Sequence, residues 1–192
     1  MNSNLLKIVA VIGLISALFA FALPKPTDGI TPSTALDAYL HNGDQSFKWE
    51  VKDTYSYGDI TAYEVLLTSQ KWREYTWKHQ FSILVPKEIK HDGALLFITG
   101  GAVNKEGEPN WNKREDTFNR AISQLATKNN AVVAVLRQTP NQPLYDNLKE
   151  DALISYTLHQ YKKDGDYSWP LLFPMVKSAV RAMDPVQEFG KQ

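Results

Sequence analysis

The chain has no cysteine among its 192 residues. That excludes disulfide staples, thiolate metal centres and a cysteine nucleophile. No Asn-x-Ser/Thr triplet occurs, so N-linked glycosylation has no acceptor. Neither sign of charge is in excess: Lys+Arg and Asp+Glu each total 21, and no Lys/Arg-rich run appears. A nucleic-acid partner and a polybasic membrane patch are therefore not expected. Histidine is scarce, with His41, His79, His91 and His159 scattered along the chain. No pair of them has metal-ligand spacing on a predicted helix, and His79 and His91 are expected to flank a strand rather than share a face. Asp164 and Asp166 flank Gly165, which is turn chemistry, because a calcium loop needs several more oxygen ligands. No metal and no cofactor are expected.

Long apolar runs are also few, and the first marks the N-terminus. Lys7 precedes IVAVIGLISALFAFAL, roughly sixteen residues, which is short of the about 20 that a bilayer span needs. The run closes on Ala20-Phe21-Ala22. A basic start, an apolar middle and a small-x-small ending describe a secretory signal peptide over residues 1–22, cleaved after Ala22. An extracellular protein with no stable membrane anchor after cleavage is the expectation. Residues 23–33, rich in Pro, Thr and Gly, read as a linker, and residues 34–192 as one domain. With 43% hydrophobic residues, that domain can bury a core without disulfides.

Strand periodicity opens the domain. Phe47, Trp49, Val51, Tyr55 and Tyr57 alternate with polar residues, Gly58-Asp59 makes a turn, and Tyr63, Val65 and Leu67 alternate again. Phe81, Ile83 and Val85 give a third strand, stopped by Pro86. The runs ALLFIT (94–99) and AVVAVL (131–136) are instead continuously apolar, as in parallel strands buried on both faces. Between them Phe118, Ile122, Leu125 and Ala126 recur at helical spacing, which predicts a βαβ unit. Two more helices follow. One runs from about Glu150 to Lys162. The other starts near Pro174 with Val176, Ala179, Val180 and Met183 as its apolar face, and Pro185 is expected to end or kink it. Trp72, Tyr75 and Trp77 read as packing at a hairpin end, with an aromatic binding platform as the other reading. The order implies an α/β fold, a mixed sheet with helices on both faces.

Five stretches carry a family resemblance: TALDAYL (34–40), LLTSQKWR (66–73), LLFITGG (95–101), LRQTPNQPL (136–144) and PMVKSAVRAMDPVQEF (174–189). In this order they resemble the PhoPQ-activated pathogenicity-related protein family, which includes secreted repressors of cell proliferation in amoebae. The resemblance implies an α/β-hydrolase-like fold, of which this chain looks like the N-terminal half, incomplete. In that fold the Gly-rich turn after the third strand supplies backbone N–H groups that stabilise an acyl-transfer oxyanion. Gly100 and Gly101 occupy that place. Arg137 and Asn141 follow the next buried strand, at the sheet edge where open α/β folds hold ligands. A ligand role and plain loop bonds are both compatible with them.

The resemblance also shows a gap. An α/β-hydrolase presents its nucleophile on a Gly-x-Ser-x-Gly elbow, and this chain has no Gly-x-Ser triplet. Oxyanion donors without a nucleophile and base retain little hydrolytic activity. Uncovered, ALLFIT is an apolar sheet edge, which predicts an aggregation-prone chain or one that needs a partner. The expectation is a secreted, non-catalytic signalling protein that restrains proliferation, acting on a cell-surface receptor or a secreted protein partner. The competing expectation is a fragment of a secreted serine hydrolase or peptidase-like enzyme. A relic without function is the third.

Overall fold

Alternating aromatic and β-branched residues, broken at Gly58-Asp59 and Arg73-Glu74, fold into three antiparallel strands. They are β1 (Lys48–Tyr57), β2 (Ile60–Trp72) and β3 (Tyr75–Pro86). β4 (Leu95–Ile98), helix α2 (Thr117–Asn129) and β5 (Val133–Leu136) form the βαβ unit, and α3 (Glu150–Asp164) and α4 (Leu172–Phe189) follow. A short helix, α1 (Ala35–Leu40), precedes the sheet. The computed structural model describes residues 29–114 and 116–190. The expected signal peptide and the first part of the linker lie outside the described residues. Pro32–Gln192 is one compact unit, and among the described residues no helix is long and apolar enough to cross a membrane.

The sheet order is β1-β2-β3-β5-β4. β5 runs antiparallel to β3, with Phe81 opposite Leu136, and parallel to β4, with Val135 opposite Phe97. The sheet is therefore mixed, as expected. Both faces are covered. α4 lies over Val65, Leu67, Phe81, Ile83, Ala134 and Leu136. α2 packs Ile122 and Ala126 over Ile60, Ala62, Leu84, Val133 and Val135 on the other face. A third cluster at the hairpin end gathers Trp72, Trp77, Tyr39, Leu144, Leu153 and Leu171. Trp72 and Trp77 are buried there, their rings 5.8 Å apart and edge-on, and Tyr75 sits at its margin. The packing reading of these aromatics is the one the structure shows.

Four expectations need correction. First, of the two apolar runs only β5 is buried on both faces; β4 is the sheet edge, with Leu95 and Ile98 exposed. Second, Pro185 does not end α4, which runs on to Phe189 and closes with the Gly190 N–H on the Val186 carbonyl at 2.9 Å. Burial of Pro185, Val186 and Phe189 outweighs a mid-helix proline penalty of about 3 kcal/mol. Third, the apolar residues assigned to the inner faces of two helices lie partly outside. On α4 the buried side is Lys177, Ser178, Ala182, Val186 and Phe189, while Val176, Val180 and Met183 are exposed. On α2, Phe118 and Leu125 are exposed, while Asn119 and Ser123 join Ile122 and Ala126 inside. Fourth, His79 lies within β3 and is fully buried, rather than flanking a strand.

Candidate functional site

The first candidate is the turn beyond β4. The Thr99 N–H donates to the Leu136 carbonyl at 2.8 Å and keeps the strand in register to its last residue. The Gly100 carbonyl then accepts the Gln138 N–H at 3.1 Å, and the Thr99 carbonyl accepts the Thr139 N–H at 3.1 Å. These bonds lock the loop after β4 onto the loop after β5. The N–H groups of Gly100 and Gly101 donate to no acceptor among the described residues, and both residues are exposed. Gly101 has φ +141°, and a Cβ there would lie 3.0 Å from Gln138 Nε2 and 3.2 Å from its backbone nitrogen. Close approach to Gln138 is what requires glycine at this position. A Cβ on Gly100 would meet open space.

Arg137 and Asn141 are both buried. Arg137 pairs with Asp116, donates to Asn119 Oδ1 at 3.0 Å and stacks over the Phe118 ring. Asp116 is also the N-cap of α2, accepting the Phe118 N–H at 2.9 Å. Arg137 thus pins the start of α2 to the end of β5. Asn141 Nδ2 donates to the Lys78 carbonyl at 2.6 Å and ties its loop to β3. Asn141 also contributes to the wall of a groove of about 960 Å³. The groove lies beyond the C-terminal ends of β4 and β5, between their two loops, the β2–β3 hairpin and the segment before β1. Open α/β sheets take ligands at that end. Its walls hold hydroxyls, amides, lysines and glutamates, but no histidine. Gly100 and Gly101 share this end of the sheet without lining the groove.

A serine–histidine contact lies elsewhere, and the sequence gave little sign of it. The β2–β3 register slips between Thr68 and Gln70. This bulge at Ser69 brings Ser69 and Gln70 both into contact with α4. Ser69 Oγ is 2.9 Å from His79 Nε2 and 2.9 Å from Ser178 Oγ of α4. His79 Nδ1 lies 2.8 Å from the Arg137 carbonyl, which can only accept, so Nδ1 carries the proton and Nε2 accepts from Ser69. Gln70 Nε2 donates to the Pro174 carbonyl and to Ser178 Oγ, and Tyr39 donates to Gln70 Oε1 at 2.7 Å. Ser69, His79 and Ser178 have no exposed surface. Burial pushes the His79 imidazole down to about 4, so it is neutral near pH 7. The pair has the spacing of a nucleophile and its base, but no substrate reaches it. It bonds α4 to the sheet. The only sequence trace is the polar run Thr68-Ser69-Gln70 inside an apolar strand.

The opposite face holds a second buried network. Glu64 accepts from Tyr55 at 2.8 Å, from Ser82 at 2.8 Å and from Gln80 at 2.9 Å. Asn119 of α2 donates to Ser82 at 3.1 Å and links this cluster to Arg137. Burial, and then the Glu64 carboxylate, push the Tyr55 phenol up. His41, His91 and His159 are exposed. Asp164 accepts the Asp166 N–H at 2.9 Å around Gly165, and Asp166 pairs with Arg73 at 2.9 Å, a turn as expected.

The family model described as PhoPQ-activated pathogenicity-related protein matches residues 36–192. Among curated proteins, autocrine proliferation repressor protein A of Dictyostelium discoideum is 34% identical over 170 residues, 83% of this chain and 33% of that protein. The chain thus spans about a third of that relative's length. Among solved structures, acetyl xylan esterase 1 from Thermoanaerobacterium sp. aligns with TM-score 0.47 and 15% identity, covering 80% of this chain and 44% of the enzyme. A proposed acetyl xylan esterase from Bacteroides fragilis aligns with TM-score 0.47 and 14% identity, over 90% of this chain and 49% of that protein.

Proposed function

The chain belongs to the PhoPQ-activated pathogenicity-related protein family, and we propose that it acts outside the cell as a non-catalytic signal that restrains proliferation. The observation that carries this reading is the 34% identity to a proliferation repressor over 83% of the chain. The chemistry supports it: the Gly100–Gly101 turn offers oxyanion-type donors, but the Ser69–His79 pair is buried. Secretion rests on the basic, apolar and small-residue pattern of residues 1–22. The partner in this reading is a cell-surface receptor or another secreted protein.

The test is a growth curve. Purified mature chain is added to proliferating cells of the organism that makes it, with heat-unfolded chain as the control. A dose-dependent fall in division rate is expected, and growth identical to the control at every dose would contradict the reading.

A second reading is favoured by one observation, the unengaged N–H groups at Gly100 and Gly101. In it the chain is the N-terminal half of a secreted, α/β-hydrolase-like serine hydrolase. The nucleophile strand of that enzyme would lie beside β4, and the turn would be half of an oxyanion site.

A further inference from the structure

The inner side of α4 carries a lysine, and a buried lysine is rare unless it is paired. Lys177 is 2% exposed and reaches the segment between α1 and β1. Its Nζ donates to Asn42 Oδ1 at 2.7 Å and lies 3.7 Å from Asp44 Oδ2. A C=O bond is about 1.23 Å long, so the Asn42 Cγ lies within about 3.9 Å of that nitrogen. The Asp44 carboxylate is held in place by the Ser46 N–H and hydroxyl on Oδ1 and by the Lys71 N–H on Oδ2. The Tyr39 ring centre is 5.5 Å from Nζ, and Arg181, one turn along α4, stacks over Phe47. Asn42 itself is at the surface. An amine, a carboxamide carbon and a carboxylate thus meet at one point, and neither the Ser69–His79 contact nor the groove uses them.

We propose that Lys177 and Asn42 form a self-modification site, at which the lysine amine displaces the side-chain nitrogen of Asn42 and leaves an isopeptide bond between α4 and the segment before β1. Asp44 is the acid–base group. It takes one proton from Nζ, and the freed amine attacks Cγ to form the Nζ–Cγ bond. Asp44 returns that proton to Nδ2 and the Cγ–Nδ2 bond breaks. The nitrogen leaves with a second proton from Nζ as ammonium, and no oxidant is needed. The surroundings favour the step. Burial pushes the Lys177 ammonium down, against the opposing pull of Asp44 and with the help of the Arg181 cation. A lysine desolvated beside a second cation is an activated nucleophile. The surface position of Asn42 lets ammonium escape. The bond ties residues 135 positions apart in a chain that has no cysteine for a disulfide, and so restricts the unfolded chain as a disulfide does.

Mass spectrometry of the purified, folded mature chain tests the proposal. A mass below that of the sequence by one ammonia is expected. Trypsin should then give one branched peptide that joins Asn42 to a Lys177 it has not cut after. Lys177→Arg keeps the charge but cannot make the bond, and should restore the full mass. Asp44→Asn keeps the shape and should lower the linked fraction at least about tenfold with the circular dichroism unchanged. A linear Asn42 peptide from the parent chain would overturn the proposal, whether the side chain is intact or has been cyclised or converted to aspartate by the backbone nitrogen of Gly43. An Asp44→Asn chain as fully linked as the parent would overturn the role of Asp44. The bond is independent of the signalling role: a linked chain can be inert on cells, and an unlinked one can be active.

Discussion

Ser69 Oγ and His79 Nε2 lie 2.9 Å apart with neither residue exposed, and through Ser178 this pair bonds α4 to the sheet. The imidazole is held neutral because burial penalises a second proton, and this outweighs the opposing pull of the Arg137 carbonyl that Nδ1–H bonds. The folded value of about 4 lies below the ordinary 6.5, so the unfolded chain binds more protons between them. His79 therefore contributes stability that is complete above about pH 6.5 and is lost as pH falls toward 4, up to ~3 kcal/mol. Urea titrations from pH 7 to pH 4 should show that loss. Ser69→Ala leaves Nε2 without a donor and should cost about 1–3 kcal/mol at pH 7.

Gly100 and Gly101 should respond differently to a methyl group. Gly101→Ala places a Cβ 3.0–3.3 Å from Gln138 at φ +141° and should destabilise by roughly 1–3 kcal/mol. Gly100→Ala meets nothing within 4 Å and should stay within about 0.5 kcal/mol of the parent. Thermal melts of the two variants check this, and equal losses would mean that the turn is not pinned by Gln138.

Arg137 is a strut in this fold. Arg137→Ala strands Asp116 beside α2 and removes the bond to Asn119, at a cost of roughly 3–5 kcal/mol. Arg137→Lys keeps the charge but not the two-pronged contact and should recover only part of it. Hydrogen exchange should show the loss first in the opening turn of α2.

The alternation of Tyr63, Val65 and Leu67 against Phe81, Ile83 and Val85 was enough to place β2 and β3, because the positions beside them include Glu64, Gln80 and Ser82, polar residues that meet in a buried network on the other face. AVVAVL likewise marked the buried strand β5. The turned-out faces of α2 and α4 were not legible. Each helix is apolar on two sides, and the inner side of α4 carries Ser178 because the bulge at Ser69 offers it polar company, and Lys177 because Asn42 and Asp44 do. Lys177 finds Asn42 Oδ1 at 2.7 Å, a residue 135 positions away. Periodicity alone ranks Val176, Val180 and Met183 above Ala182, and the sheet decides the other way.

At the site, the double glycine stood out as an apolar run that stops at Thr99. Its lock onto Gln138 did not, because that contact joins two loops 37 residues apart through backbone bonds. Arg137 and Asn141 could be placed at the correct sheet end. Their partners, Asp116 and the Lys78 carbonyl, emerge only from the fold.

The most direct measurement is turnover of a chromogenic acetate ester by the purified mature chain at pH 7.5, with Ser69→Ala alongside. The account predicts no saturable hydrolysis above the heat-unfolded control for either protein, since the serine–histidine pair found among the described residues, Ser69–His79, is buried. Saturable turnover by the parent would contradict it, and its loss in Ser69→Ala would show that the buried pair opens to substrate.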